Sequence, residues 1–507
     1  GANPWAGGGV LPAVGRGVGA SVRAGGGGGC SGGGRAGARG GPPPAGGGGG
    51  AGGGGAGGGV GPRRVAPVWG GARGRVIWGA LGVGVRGGGR ELMASRGVRA
   101  GFRTTADGVP GYPHPVEVVP LGDDIDIALN AGGREAPDIV MLPDAGRVQE
   151  LAGIKLRAVG DSLWQTQGRP RYPEPWWDLL RHRGFDAVSQ FGVPFKSANK
   201  SLVWYDRTAF LRDGDLTRVD PATDPPRGWT LAEWPAKMRE FATAERGLLA
   251  LGGADGWMLA DMFANVLRST SPGDYEDLAR PPENDSGTAP PRPRRDWRRP
   301  GVRAALLVLG GLWGEPAAFH GGVAAPLRRQ FPDAVRDVFQ HRNAMMVVAP
   351  DFAEPIVRRC LRAVGRSDVS VGVMPFPAVD RGYRAPNIGG GDVMVVTAAA
   401  SDRAEQLVAA LAAPTAPLPW LTRYGGFVAP SDETPRPASY EGIFRTVDTR
   451  LNSWDIFDFA DLIGPIGRRN GLWRVLTDFL VDVGYRRRGR LDEAVDLALA
   501  ALDRSAP

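Results

Sequence analysis

The chain has 507 residues, 81 of them Gly and 44 Pro, and a formal net charge of +8; that length can bury more than one hydrophobic core. The charge sits at one end, because residues 1–90 hold ten Arg, no Lys and no acidic residue, which leaves the remainder slightly acidic. This excludes a basic nucleic-acid or anionic-membrane surface over the rest of the chain, and the lack of any 18-residue apolar span excludes a bundle of membrane-crossing helices there.

Forty of the first 90 residues are Gly. Such a composition cannot bury enough apolar area to offset chain entropy, so residues 1–74 are expected to be disordered. No apolar h-region of a secretory signal is recognisable, and Cys30 follows only glycines instead of the apolar residue of a lipoprotein cleavage site. A genuine Arg/Gly-rich tail would bind RNA in a salt-sensitive way. A processed or misassigned start, or GC-rich DNA read in the wrong frame, accounts for the same composition. The other cysteine, Cys360, lies in a helical pattern over 354–364, so the two are not expected to pair. His114, His182, His320 and His341 are scattered without metal-ligand spacing.

Order is expected from a first strand at Arg75–Gly79, with a second at Val116–Val119 and a short helix over Asp124–Ala131. Next comes Pro137-Asp138-Ile139-Val140-Met141-Leu142-Pro143-Asp144, where four apolar residues in a row read as a strand buried on both faces. Pro143-Asp144 breaks it before a helix containing Gln149–Ala152. This βαβα order predicts a mainly parallel sheet. No GxGxxG follows the first strand, so a nucleotide site is unsupported.

Phe191–Lys196 and Ser201–Asp206 are two short β-rich runs joined by a polar turn. Thr230 and Glu233 form a capping box ahead of the stripe Leu231, Trp234, Met238 and Phe241. Leu248–Leu251 is a strand leading through Gly252–Gly256 to Trp257 at a helix start. Residues 280–300 are rich in Pro and Arg and read as a solvated insertion. Ala344–Val348 is a buried strand ending at Asp351-Phe352, and Gly372–Pro377 and Ile388–Val396 are further strands. A strand rather than a helix follows Gly389–Gly391, which disfavours a phosphate-cradling loop. Helices follow at 404–412 and 418–424, then Gly425–Pro430 and a helical tail over 440–501.

Seven of these segments resemble, in order between residues 137 and 483, the extracellular solute-binding proteins (family 1) of carbohydrate ABC importers. They are the "PDI" strand with its "LA" helix, the "GVP…S…WYD" run, the capped "TLAEW" helix, the Gly252–Trp257 turn, the "GVMPFP" and "GGGDVMVV" strands, and "YGGFVAPS". Gly82–Gly89 departs from the pattern, standing where the family has a helix. The resemblance implies an α/β, two-lobed periplasmic-binding-protein-like (type II) fold, with hinge crossovers and a helical C-terminal tail. It assigns 75–200 plus 350–425 to the N-terminal lobe and 201–349 plus 426–507 to the C-terminal lobe, with crossings near 200, 350 and 426.

By the same resemblance the cleft holds a sugar or oligosaccharide. Asp144 would accept hydrogen bonds from the first lobe, Trp257 and Trp473 would be stacking platforms from the second, and Asp351, Phe352, Asp392 and Tyr424 would stand near the hinge. Flat aromatics beside carboxylates suit the apolar faces and hydroxyls of sugars. The implied protein is an extracellular or periplasmic monomer, with or without a membrane anchor. Its partner is an ABC permease in the membrane, and it uses no cofactor, metal or nucleic acid. The rival is a glycoside-acting enzyme using two of Asp144, Asp255, Asp351 and Asp392, which nothing in the sequence pairs.

Overall fold

The computed structural model describes residues 74–78, 111–114, 116–120, 129–130, 137–183, 188–211, 225–280, 295–418, 421, 426–435 and 456–505. The expectations for residues 1–73, for most of the 124–131 helix and for most of the Pro/Arg-rich insertion fall outside them.

Strand β1 (Gly74–Trp78) pairs in parallel with β2 (Val116–Pro120) on one side and β3 (Ile139–Leu142) on the other, Val76 standing beside both Val118 and Ile139. All four residues of β3 are buried, as its unbroken apolar run requires. The other edge of β3 is taken by a strand from far along the chain. Val393–Val396, here β11, runs antiparallel to it with Met394 opposite Met141. Val193–Pro194, here β4, closes the sheet on the far side of β11. Four of the five strands thus run the same way, as expected of a mainly parallel sheet; only β11, added after the chain has left and returned, enters from the opposite end.

A second sheet has its own strands: β6 (Leu202–Asp206), β7 (Gly247–Ala250), β8 (Ala344–Val348) and β9 (Val371–Pro375), in the order β7-β8-β6-β9. Only β7 and β8 are parallel; β6 runs antiparallel to both its neighbours. Tyr205 on β6 lies across Gly372 on β9, where an added methyl would meet the ring at 2.0 Å. Helix α2 (Trp257–Thr270) runs through the middle of this half with all but two of its residues buried. The capping box holds, with the Thr230 N–H donating to Glu233 Oε2 at 2.7 Å, and Leu231, Trp234 and Met238 are buried behind it.

The buried side chains form two separate cores. One contains Tyr112 to Phe195, Val393 to Phe427 and Phe457; the other contains Leu202 to Ile388, Val428 and Phe459 to Leu502. The chain thus passes from one to the other within 195–202, returns within 388–393, and leaves again in the stretch 427–459. The second passage is not near 350. After β8 the chain turns at Pro350 into helix α5 (Glu354–Ala363; α3 is Pro300–Trp313 and α4 Phe331–Phe339). That helix buries Ile356, Val357, Cys360 and Leu361 in the core β8 already belongs to, and continues into β9. Residues 350–388 therefore belong to the second lobe.

The passages lie side by side. Ala198–Asn199 (β5), Ile388–Gly390 (β10) and Ile456–Phe457 (β12) form a three-stranded sheet of their own, Gly389 standing opposite both Asn199 and Phe457. Ser197 exchanges backbone hydrogen bonds with Val428 beside it. After β12 come α6 (Phe459–Leu462), α7 (Leu472–Val481) and α8 (Leu491–Ser505). Gly310 of α3 admits Leu491 and Phe479, because a methyl there would meet Leu491 Cδ1 at 2.2 Å. Among the described residues no helix is long and apolar enough to cross a membrane.

Candidate functional site

The two lobes touch where β3 ends. Pro143 stops the strand, Asp144 follows on the turn, and Gly146 starts the short helix α1 (Arg147–Leu151) in ordinary helical geometry, φ −62° and ψ −22°. Facing this turn is α6 of the second lobe. A methyl at Gly146 would stand 1.7 Å from the Asp461 carbonyl oxygen, so glycine permits this approach and a larger residue does not. Arg468, just past a 3₁₀ turn at Gly464–Gly467, reaches across the seam. Its Nε is 2.5 Å from Asp144 Oδ2 and its Nη2 donates to Glu150 Oε1 at 2.7 Å.

The seam sets three acids, Asp144, Glu150 and Asp461, against Arg147 and Arg468. Burial pushes the Asp144 carboxyl up, opposed by Arg468, Arg147 and hydrogen bonding to the Asp461 carboxyl. Glu150 is raised by burial against the pull of Arg468. Asp461, only 5 % exposed, is raised well above the usual carboxylate range by burial, against the pull of Lys200.

Behind the seam the passages are bolted together by Lys200, which is 4 % exposed, its Nζ 2.5 Å from Asp458 Oδ2 and 3.5 Å from Asp261 Oδ1. Burial works against its charge, yet Asp261 and Asp458 hold it well above the usual lysine range. Asp261 is pushed up to about 7 by burial, Lys200 opposing. Ser201 Oγ donates to Asn265 Oδ1 at 2.6 Å and accepts from the Ile388 N–H at 2.8 Å, so the first passage, the second and α2 share one network. Tyr275 Oη donates to the Phe457 carbonyl at 2.7 Å and brings in the third.

The structure brings Asp144 to the seam but moves other expected ligand residues away from it. Trp257 is 2 % exposed, with Phe331 and Phe352 ring centroids at 5.2 and 5.9 Å; packed into the core of its lobe, it offers no free face in this form. Asp351 is buried and accepts the Asn199 N–H at 3.1 Å, holding β5 in place. Asp392 is paired with Lys196 at 2.6 Å, which joins the first two passages; Lys196 Nζ also stands 5.6 Å from the centre of the Phe427 ring. Asp255 accepts the Phe331 N–H at 2.6 Å at the head of α4. Tyr424 lies outside the described residues. Trp473 is half-buried in the wall of a hollow of about 480 Å³, with Gln330, Arg469 and Asp478 around it, and its neighbour in that wall is Gly256.

Glu150, Arg468 and Lys200 were not among the expected site residues. For lysine a signal existed: the chain has four Lys, and Lys196 and Lys200 both lie in the first passage. Among the described residues no group of three His, Cys, Asp or Glu side chains is arranged to hold a metal.

A further buried carboxyl, Glu354 at the head of α5, is 1 % exposed and is pushed up to about 8 by burial, with Arg358 2.7 Å away opposing. An acid raised on folding supports the fold fully below its unfolded value of about 4 and loses that support as pH climbs through its folded value. The urea midpoint is therefore expected to fall between about pH 6 and about pH 8.5 through Asp261 and Glu354, and Glu354→Gln should flatten the upper part of the slope. A midpoint rising over that range would contradict the assignment.

No protein-family model and no curated protein matches the sequence. Solved structures do match. A chitin oligosaccharide binding protein is 16 % identical, with 86 % of this chain and 99 % of that one covered at a TM-score of 0.60. The maltose-bound T. maritima MalE3 is 16 % identical, covering 85 % and 99 %, TM-score 0.57. The solute-binding protein RafE in complex with raffinose is 12 % identical, covering 85 % and 99 %, TM-score 0.58. The chain has the two-lobed α/β fold of these binding proteins.

Proposed function

We propose that this chain is the solute-binding component of a carbohydrate importer: it takes up a sugar or oligosaccharide between its lobes, closes by hinge motion, and presents the closed form to an ABC permease outside the membrane. The observation that carries this is the architecture of the seam. Two lobes with separate cores are joined by three adjacent short strands, and polar groups from both lobes meet between them. A ligand that touches both lobes only when they meet shifts the population toward the closed form, which needs nothing more than differential contact. Asp144 is the proposed acceptor from the first lobe and Trp473 the platform from the second. Trp257 and Phe352 support the wall behind them, and Asp351 and Asp392 set the geometry of the hinge.

The test is calorimetric titration of the purified chain with mono- and disaccharides, with thermal shift as a first screen, since a ligand that binds only the folded state raises its melting point. Trp473→Ala is expected to weaken binding by about 1–3 kcal/mol, the usual worth of a stacked aromatic. Sugar recovered unchanged after incubation separates binding from hydrolysis. A panel in which no sugar binds would remove this reading.

A further inference from the structure

Resting on that reading, we propose that the seam binds a proton: closure of the lobes takes one from solvent and holds it between the carboxyls of Asp144 and Asp461, so that acid favours the closed form and alkali the open one. The two side chains come from opposite lobes, Asp144 from the turn after β3 and Asp461 from α6, and they are hydrogen-bonded to each other. An ionised carboxylate has only acceptors to offer. Two of them cannot make this contact, so one member of the pair carries the proton.

The groups around the pair do not supply a substitute for it. Arg147 and Glu150 stand on α1, Arg468 beyond the 3₁₀ turn, Asp458 next to α6, Lys200 on the first passage and Asp261 on α2. Arg468 divides its charge between Asp144 and Glu150, and Lys200 between Asp458 and Asp261. Five acids therefore face three cations, and burial raises both members of the pair. Parting the lobes returns Asp144 and Asp461 to water, where a carboxyl ionises near its ordinary value of about 4. The sign follows from this difference. The contribution to closure is complete below about pH 4 and is lost as pH rises through the higher value of the closed form, and over that interval affinity for a neutral sugar falls by up to about tenfold per pH unit.

The experiment is calorimetric titration of the full chain with maltose, raffinose and a chitin disaccharide between about pH 5 and about pH 8, in buffers of different ionisation enthalpy so that protons taken up per sugar bound are counted. The expected result is a loss of affinity of at least about tenfold between about pH 6 and about pH 8, with uptake approaching one proton. In Asp461→Asn the profile should be flat and the uptake absent, because an amide N–H faces Asp144 at every pH. Asp261 and Glu354 titrate over the same range but are unchanged in that variant, and simple damage to the fold would lower affinity at every pH. If the variant does not fold, the proton count on the parent decides alone. Sugar binding in the parent with no pH dependence and no proton uptake would overturn the proton assignment and leave the sugar-binding reading standing. If no sugar binds, that reading falls, and small-angle scattering of the ligand-free chain tests the proton by itself: the parent should contract on acidification from about pH 8 to about pH 5 and Asp461→Asn should not, and a parent of constant size would overturn the assignment.

Discussion

Replacing Gly146 by Ala is expected to weaken ligand binding ten- to a hundredfold while leaving the free protein as stable as its parent or slightly more so. The two halves of this expectation have different causes. In the first lobe alone, φ −62° and ψ −22° suit any residue, and Ala loses less chain entropy than Gly there, a gain of about 0.4–1 kcal/mol. With the lobes together, the new methyl would stand 1.7 Å from the Asp461 carbonyl oxygen, a backbone atom that cannot rotate away. Overpacking of this kind costs about 1–3 kcal/mol, and each 1.4 kcal/mol is about tenfold in affinity. Small-angle scattering should show a variant that no longer contracts when sugar is added, and calorimetry should show the loss of affinity. Unchanged affinity would mean that the ligand-bound form does not bring Gly146 against Asp461.

Lys200→Met should destabilise the protein by about 3–5 kcal/mol, the usual cost of removing one partner of a buried ion pair. The methionine nearly matches the volume, so a cavity contributes little. What remains is Asp458, Asp261 and Asp461 without their shared cation. Because Lys200 sits on the first passage and Asp458 next to the third, the loss should also loosen the connection between lobes. Urea unfolding measures the first effect and proteolysis near 198–201 the second. A variant within about 1 kcal/mol of the parent would show that the cluster is already neutral, one of its acids carrying a proton.

How much of this was legible beforehand depended on whether the signal was local. The Ile139–Leu142 strand, the Pro143-Asp144 turn and the Thr230–Glu233 capping box are each written in consecutive residues, and each stands where the sequence puts it. The passage expected near 350 failed for a physical reason. A buried strand followed by Pro, a turn and an amphipathic helix reads the same whichever sheet the helix packs on, and only the pairing of β8 with β6 and β7 decides it. Trp257 shows the same limit. A helix-start aromatic is visible in the sequence, but on a helix buried nearly all round no face is free for ligand. Arg468 reaches Glu150 across 318 positions and is one of 57 arginines, so nothing local distinguishes it.

The place of β11 governs how the protein must be made. The strand that fills the middle of the first sheet, between β3 and β4, emerges from the ribosome about 200 residues after β4, or about 10–40 s later at ordinary elongation rates. Until then Ile139–Leu142 and Val193–Pro194 present unpaired edges, the kind of surface on which nascent chains aggregate. All four strands of the other lobe are encoded between 202 and 375, so the half that begins second can complete its sheet first. A chaperone that shields newly made strands would be needed in that interval and not afterwards.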